Sequence, residues 1–356
     1  MKIGLFGLPR SGKTTLFNAL TRSQAQVSAF AGAKAEPNLA VLPVLDPRVA
    51  RLSEAYHPKK TVHATIDFMD FPGLEEGAAK GGAFSGARLA DARKADALAR
   101  VVRNFPDEGG AAPAPGRDLG RLDEELALAD LVLAETRLEK LEWGFKRNQK
   151  TLALEAEAKV LARIRDQLQA QKSIRDLGLK GEEEKTVRGF QFLMQKPSMA
   201  FLSSSEDRFG KSAAALDEVG KAHPCLEFAG KFEMELSRLE DEAEAKMFLE
   251  DLGIKESARD RLVQFAYRVV GQISFFTVGE DEVRAWNLRE GDTALDAAGA
   301  IHSDLARGFI RAEVFSYDDW VECGSEKKVK EKGRFRLEGR DYLVKDGDII
   351  TIRFSV

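Results

Sequence analysis

Cysteine is almost missing from this sequence: Cys225 and Cys323 are the only two thiols in 356 residues. They stand far apart and lack metal-ligand spacing. That excludes a disulfide framework and reads as two reduced thiols of a cytosolic protein. Histidine is as sparse. His57, His63, His223 and His302 are scattered, and none stands at a spacing that pairs it with a serine or cysteine nucleophile. Long apolar runs are absent as well, since nothing approaches the ~20 residues of a membrane span. The opening Met1-Lys2-Ile3-Gly4-Leu5-Phe6-Gly7 is too short for a signal peptide. A cytoplasmic protein with no membrane partner is expected. Nor is there an excess of positive charge: 54 Lys+Arg against 58 Asp+Glu leave a net −4. A chain-wide grip on nucleic acid is thereby excluded, and no sequence-specific DNA partner is expected. No long-period internal repeat is visible.

What is present suffices for real cores. Hydrophobic residues make up 44% and charged residues 31%, and the length suggests two or three domains. Ile3–Phe6 reads as a short buried strand, and Lys13–Thr21 as a helix with Leu16, Phe17 and Leu20 on one face. Further strands are expected at Thr65–Phe71, Asp96–Val102, Met199–Leu202 and Cys225–Phe228. Strands separated by helical segments predict an α/β fold, a parallel sheet with helices on both faces. Asp107–Gly120, rich in Gly, Pro, Ala and Asp, reads as a loop or linker. Beyond it, Leu131, Ala134, Leu138 and Leu141, and then Leu154, Leu161, Ile164 and Leu168, mark two amphipathic helices with a polar break near Lys146–Lys150. They form an inserted antiparallel hairpin. From Ile273 on, short strands (Ile273–Val278, Val283–Trp286, Phe309–Val314, Ile349–Phe354) surround one short helix near Thr293–Ile301, a small α+β domain.

Gly7-Leu8-Pro9-Arg10-Ser11-Gly12-Lys13-Thr14 fits G-x-x-x-x-G-K-[ST], placed between a strand and a helix as that motif requires. Glycines let backbone N–H groups converge on phosphate oxygens. The helix N-terminus adds its positive dipole end. Lys13 reaches the β- and γ-phosphates, and the Thr14 hydroxyl takes Mg²⁺. Asp70-Phe71-Pro72-Gly73 fits D-x-x-G, in which Asp70 holds Mg²⁺ and the Gly73 N–H senses the γ-phosphate. The ligand expected is Mg²⁺ with a purine nucleoside triphosphate, ATP or GTP.

Several stretches carry a resemblance. Gly7–Leu20 reads GLPRSGKTTLFNAL, and Asp70–Val102 follows the D-x-x-G motif through Asp96–Val102. The most specific is C-terminal: Glu282-Val283-Arg284-Ala285-Trp286, Ile301–Val314 (IHSDLARGFIRAEV) and Gly339–Ile349 (GRDYLVKDGDI). Glu36-Pro37-Asn38 and Asp46-Pro47-Arg48 fit too. On these residues the chain resembles the YchF/Obg-like ATPase family, nearly end to end. The resemblance implies a P-loop GTPase-like domain, a helical insertion, a C-terminal β-grasp (TGS-like) domain, a preference for ATP and association with ribosomes. The expected division is 1–110 with 190–272, then 111–189, then 273–356.

Four positions depart from the family pattern. Arg10-Ser11 replace Asn-Val, and that asparagine belongs to a class in which a monovalent cation assists. Arg10 is then either a built-in arginine finger in place of the cation or an exposed loop arginine. Lys34 replaces a switch threonine that would complete the Mg²⁺ shell. Ser203-Ser204-Ser205-Glu206 replace the base-reading Asn-x-x-Glu, and one serine hydroxyl offers less than an amide's donor and acceptor. Glu206 leans away from guanine, while a solvated serine loop stays an alternative. Leu74 stands where many GTPases carry a water-orienting glutamine, so hydrolysis should be slow. The nucleotide set is therefore Gly7, Pro9, Arg10, Ser11, Gly12, Lys13, Thr14, Thr15, Gly73, Ser203 and Glu206. Lys13 and Arg10 are the catalytic candidates, and Thr14 and Asp70 the metal ligands.

Three functions fit: a slow NTPase, a nucleotide-responsive binding module with negligible turnover, and an adaptor without nucleotide, which the intact loop argues against. The basic run Lys327, Lys328, Lys330, Lys332, Arg334 and Arg336, diluted by Glu326, Glu331 and Glu338, reads as a solvated loop or as a contact to ribosomal RNA.

Overall fold

Strands buried along nearly their whole length need cover on both sides, and the centre of the first sheet is built from such strands. A computed structural model describes residues 1–21, 38–74, 77, 87–236 and 257–355. The chain begins β1 (Lys2–Gly7), α1 (Lys13–Thr21), β2 (Asn38–Val44), α2 (Pro47–Tyr56), β3 (Lys60–Val62), β4 (Ala64–Asp70), α3 (Ala87–Arg93) and β5 (Ala97–Asn104). It continues α4 (Pro115–Lys146), α5 (Leu152–Gln169), α6 (Glu182–Val187), β6 (Ser198–Ser204), α7 (Ala213–Gly220), β7 (Cys225–Phe228) and α8 (Gly230–Leu236). Last come α9 (Ala258–Val269), β8 (Gln272–Thr277), β9 (Glu282–Arg289), α10 (Ala294–Ile301), α11 (Ser303–Arg307), β10 (Phe309–Ser316), α12 (Tyr317–Cys323), α13 (Glu326–Glu331), β11 (Arg336–Glu338) and β12 (Asp348–Phe354).

The chain divides into two compact units, Met1–Ala40 with Asp67–Arg259, and Val41–Ile66 with Asp260–Val356. In the first, β4-β1-β5-β6-β7 run parallel, with β2 at the edge beside β4. Every residue of β6 is buried. The hairpin of α4 and α5 is continuous with this core: Leu122, Leu126, Leu138, Leu161 and Ile164 join Phe6, Phe71 and Leu74 in one apolar cluster. Arg137 Nε donates to Glu157 at 2.6 Å across the two helices. A polar chain fixes α4 to the sheet. Arg100, only 1% exposed, donates to Asp123 at 2.5 Å, and His223 bridges Asp123 and Ser198 at 2.9 Å on each side.

In the second unit the sheet order is β11-β10-β12-β8-β9-β3. β12 and β8 are parallel at its centre, and β10 with β11, β10 with β12 and β8 with β9 are antiparallel. α10 opens on a capping box of Thr293 and Asp296 and buries Ala294, Ala297 and Ala298 against Phe275, Leu288 and Ile350. One helix laid across a mixed sheet is the β-grasp arrangement.

Three expectations change. Segment 41–66 is shared: its ends, in β2 and β4, lie in the first sheet, while Lys60–Val62 adds a parallel strand to the edge of β9 and groups the segment with the C-terminal strands. The loop expected through Gly120 ends at Ala114, since Pro115 starts α4 with a φ already fixed for a helix and no N–H to satisfy. The C-terminal segment holds α11, α12 and α13 besides the one helix expected, and its basic run begins on α13, passes through the turn at 332–335 and ends in β11. Within that run, Lys330 pairs with Glu326 at 2.8 Å, Arg334 with Asp319 at 2.9 Å, and Arg336 with Asp348 at 3.6 Å.

Candidate nucleotide site

β1 delivers Gly7 and α1 takes over at Lys13, so five residues must turn the chain. The Ser11 N–H bonds to the Leu8 carbonyl at 3.2 Å, and the Leu16 N–H reaches the Gly12 carbonyl at 2.9 Å as the first turn of α1. Arg10 and Gly12 both adopt left-handed φ, 63° and 88°. Gly12 is also a close approach: a Cβ there would stand 2.5 Å from Ser203 Oγ. Gly73 lies against Pro9, whose backbone N would be 3.2 Å from a Cβ at 73. The D-x-x-G turn is further tied down by the Leu74 N–H, bonded to the Gly7 carbonyl at 2.9 Å.

The geometry brings Lys13 and Asp70 together: their ion pair has side chains only 9% and 7% exposed. Thr14 and Thr15, half-buried, begin α1 beside it. The Thr14 hydroxyl and Asp70 carboxylate are hard oxygen donors of the kind magnesium takes, and the donor set fits that ion. Leu74 is 0% exposed, its side chain packed with Phe6 and Phe71, whose rings stack at 5.0 Å. It offers no hydrogen bond to water. Arg10 is turned outward and pairs with Glu108 at 2.8 Å, both largely exposed. Ser11 Oγ is buried without a partner, a position that costs about 1–3 kcal/mol unless something is bound to it. Lys34, Glu36 and Pro37 lie outside the described residues.

On the other side of Gly12, Ser203, next to last in β6, is buried against the loop, while Glu206 is exposed. Behind them is a network that sequence reading missed. Asn104 Nδ2 donates to Ser204 Oγ at 2.8 Å and to Ser212 Oγ at 2.7 Å. Ser204 Oγ donates to Glu227 at 2.5 Å, and Glu227 accepts the Gly210 N–H at 3.1 Å. All four of these side chains are buried and partnered, and they hold the loop after β6 in place. The available signal was Asn104 itself, an amide at the end of an apolar strand, where asparagine is disfavoured.

A parallel sheet, a G-x-x-x-x-G-K-T loop at the head of α1, and a D-x-x-G turn pressed against that loop define a P-loop nucleotide-binding protein of GTPase fold. Residues 2–137 match the family model MMR_HSR1, described as 50S ribosome-binding GTPase. Residues 272–355 match YchF-GTPase_C, described as Protein of unknown function (DUF933). The chain is 37% identical over 364 residues to the "Ribosome-binding ATPase YchF" of Haemophilus ducreyi, covering 100% of this chain and 99% of that one. It is 36% identical to the protein of that name from Bacillus subtilis, covering 99% of each. The solved structure of the Schizosaccharomyces pombe YchF GTPase superposes with a TM-score of 0.82 at 29% identity, over 99% of this chain and 97% of that one. The chain belongs to the YchF family.

Proposed function

We propose that this chain binds a magnesium-bound purine nucleoside triphosphate at Gly7–Thr14 and hydrolyses it slowly to the diphosphate and inorganic phosphate, working in the cytoplasm in association with the ribosome. The Lys13–Asp70 ion pair carries the reading. A buried ion pair gains little net stability against the desolvation of both charges. It makes sense where each partner is exchanged for a ligand, Lys13 for phosphate oxygens and Asp70 for the metal. Thr14 and Asp70 would hold Mg²⁺, which when bound supplies positive charge to the phosphate oxygens. Lys13 and the amides of the loop then orient and neutralise the tail, so the chemistry rests on fixed electrostatics. Arg10 adds its cation on leaving Glu108. Glu206 and Ser203 face the base, with ATP favoured over GTP. Ribosome association follows the names of the relatives, and the β-grasp domain is the proposed contact to ribosomal RNA.

A second reading, a nucleotide-responsive module with negligible turnover, is favoured by the burial of Leu74, which leaves no side chain at that position to orient an attacking water. A competition titration of ATP against GTP in magnesium buffer tests the shared part. Phosphate release with and without ribosomes separates the two. No heat from either triphosphate ends both.

A further inference from the structure

Leu122, Glu125, Leu126, Ala129 and Asp130 stand at i, i+3, i+4, i+7 and i+8 on α4, a single stripe of that helix. The chain that follows the D-x-x-G turn is fastened along this stripe at three points. Leu74 shares an apolar cluster with Leu122 and Leu126. The Gly77 N–H donates to the Glu125 carboxylate at 2.6 Å, from a left-handed φ of 79° that favours glycine. Arg93, the last residue of α3, donates to the Asp130 carboxylate at 2.6 Å and to the Ala129 carbonyl at 3.2 Å.

These joints are stiff. The Arg93 and Asp130 side chains are 11% and 0% exposed, and Asp130 also accepts the Met194 N–H at 2.8 Å. Pulling Arg93 away would leave a fully buried carboxylate without its counter-charge, so α3 and α4 shift together. The turn is equally well held on its other side, where Leu74 N–H bonds to the Gly7 carbonyl and Gly73 lies against Pro9 of the phosphate loop. Buried between the two, Leu74 ties the position of the turn to that of α4. Farther along, Ala134, Leu138 and Leu141 join Leu161 and Ile164 of α5 in the same cluster. Helix α4 is one unbroken rod of 32 residues from the contacts of the turn to the far end of the hairpin.

We propose that α4 is a lever that reads the D-x-x-G turn and moves the far end of the hairpin between the triphosphate-bound and diphosphate-bound forms. The lever rests on the nucleotide binding proposed above. Asp123, tied to Arg100 and His223, is its pivot. Asp130 lies about 10 Å and Lys146 about 35 Å beyond that pivot, at roughly 1.5 Å of rise per residue. A shift of about 1 Å at Asp130 therefore becomes one of about 3 Å at Lys146. Trp143, 58% exposed, rides on that end. A partner held there would sense which nucleotide is bound, and by linkage would change the ratio of triphosphate to diphosphate affinity.

The test is hydrogen–deuterium exchange on the full chain in magnesium buffer, comparing ADP with the non-hydrolysable AMPPNP. Amide protection should differ between the two in the phosphate loop and also at residues 134–160. The Arg93→Met/Asp130→Leu double substitution removes the ion pair without leaving either charge alone. It should keep the difference in the loop, erase the one in the hairpin, and alter the ratio of AMPPNP to ADP affinity about fivefold or more. Leu74→Ala, which cuts the apolar joint and spares the charges, should do the same and serves if the double variant does not fold. A wild-type hairpin that ignores the nucleotide while the loop responds overturns the lever. So does a hairpin response that survives in either folded variant. Failure of the wild type to bind either nucleotide brings down the nucleotide reading first, and the lever with it.

Discussion

Lys13 and Asp70, 57 residues apart in sequence, are bonded to each other under the phosphate loop. Among the described residues, each is the other's only side-chain partner. Lys13→Ala should therefore do two things. It should abolish binding of ATP and GTP, and it should destabilise the chain by about 3–5 kcal/mol by leaving a buried carboxylate alone. Calorimetry and urea unfolding read the two effects separately, and unchanged nucleotide affinity would refute the assignment of Lys13.

Gly12 and Ser203 test the seam between the loop and β6. Gly12→Ala forces a side chain into φ 88° and into Ser203 Oγ. The expected loss is about 1–2 kcal/mol from the backbone alone, and more from the clash. Adding Ser203→Gly should recover the clash share, so the double variant is more stable than the sum of the single changes predicts. Simple additivity in a denaturation cycle would mean the two do not touch.

Arg10 offers a kinetic test. Its pair with Glu108 is a surface pair, worth about 0–1 kcal/mol. Arg10→Ala should leave stability nearly unchanged while lowering phosphate release, and potassium should not stimulate the wild type. Full turnover in the variant, or potassium dependence in the wild type, removes the finger.

Asp123 gives the acid limb of stability. Burial alone would push its carboxyl up, but the Arg100 guanidinium and His223 outweigh burial and hold it below the usual range. A depressed folded value means stability that is present above the unfolded value, about 3.9, and is lost as pH falls through the folded one. Asp123→Asn should flatten that limb. At neutral pH it should also cost about 3–5 kcal/mol, since Arg100 loses its counter-charge. An unchanged slope in urea unfolding between pH 5 and 3 would contradict this.

The thiols should be silent. Burial pushes Cys225 up to about 12, so at pH 8 only about one in 10⁴ is thiolate, and Cys323 is buried. Iodoacetamide at pH 8 should label neither until the chain is unfolded, as mass spectrometry would show.

Much of this molecule is legible from local pattern. Helix Lys13–Thr21 and strand Cys225–Phe228 have the ends their periodicity gives, and the glycine loop sits in the strand–loop–helix context its motif demands. What was hidden depends on partners far away in the chain. Lys60–Val62 is too short to show alternation, and only its pairing with Glu282–Arg284 makes it a strand. Pro115 starts a helix inside a Gly- and Pro-rich stretch because the following turns pack into an apolar cluster. At the site, Lys13, Thr14, Asp70 and Gly73 follow from motif chemistry. The outward turn of Arg10 onto Glu108, the burial of Ser203 and the network around Asn104 are set by tertiary neighbours.

The pairing of Lys60 with Glu282, like the ion pair of Lys59 with Asp281, spans 222 positions. During synthesis the early segment must therefore wait, without its ladder, until nearly the whole polypeptide has emerged. A fragment cut to begin at Gln272 would display the bare backbone of β9 where β3 belongs, an open rim that invites another chain. Excised alone, the last domain should self-associate, and a version carrying residues 41–66 in tandem should not.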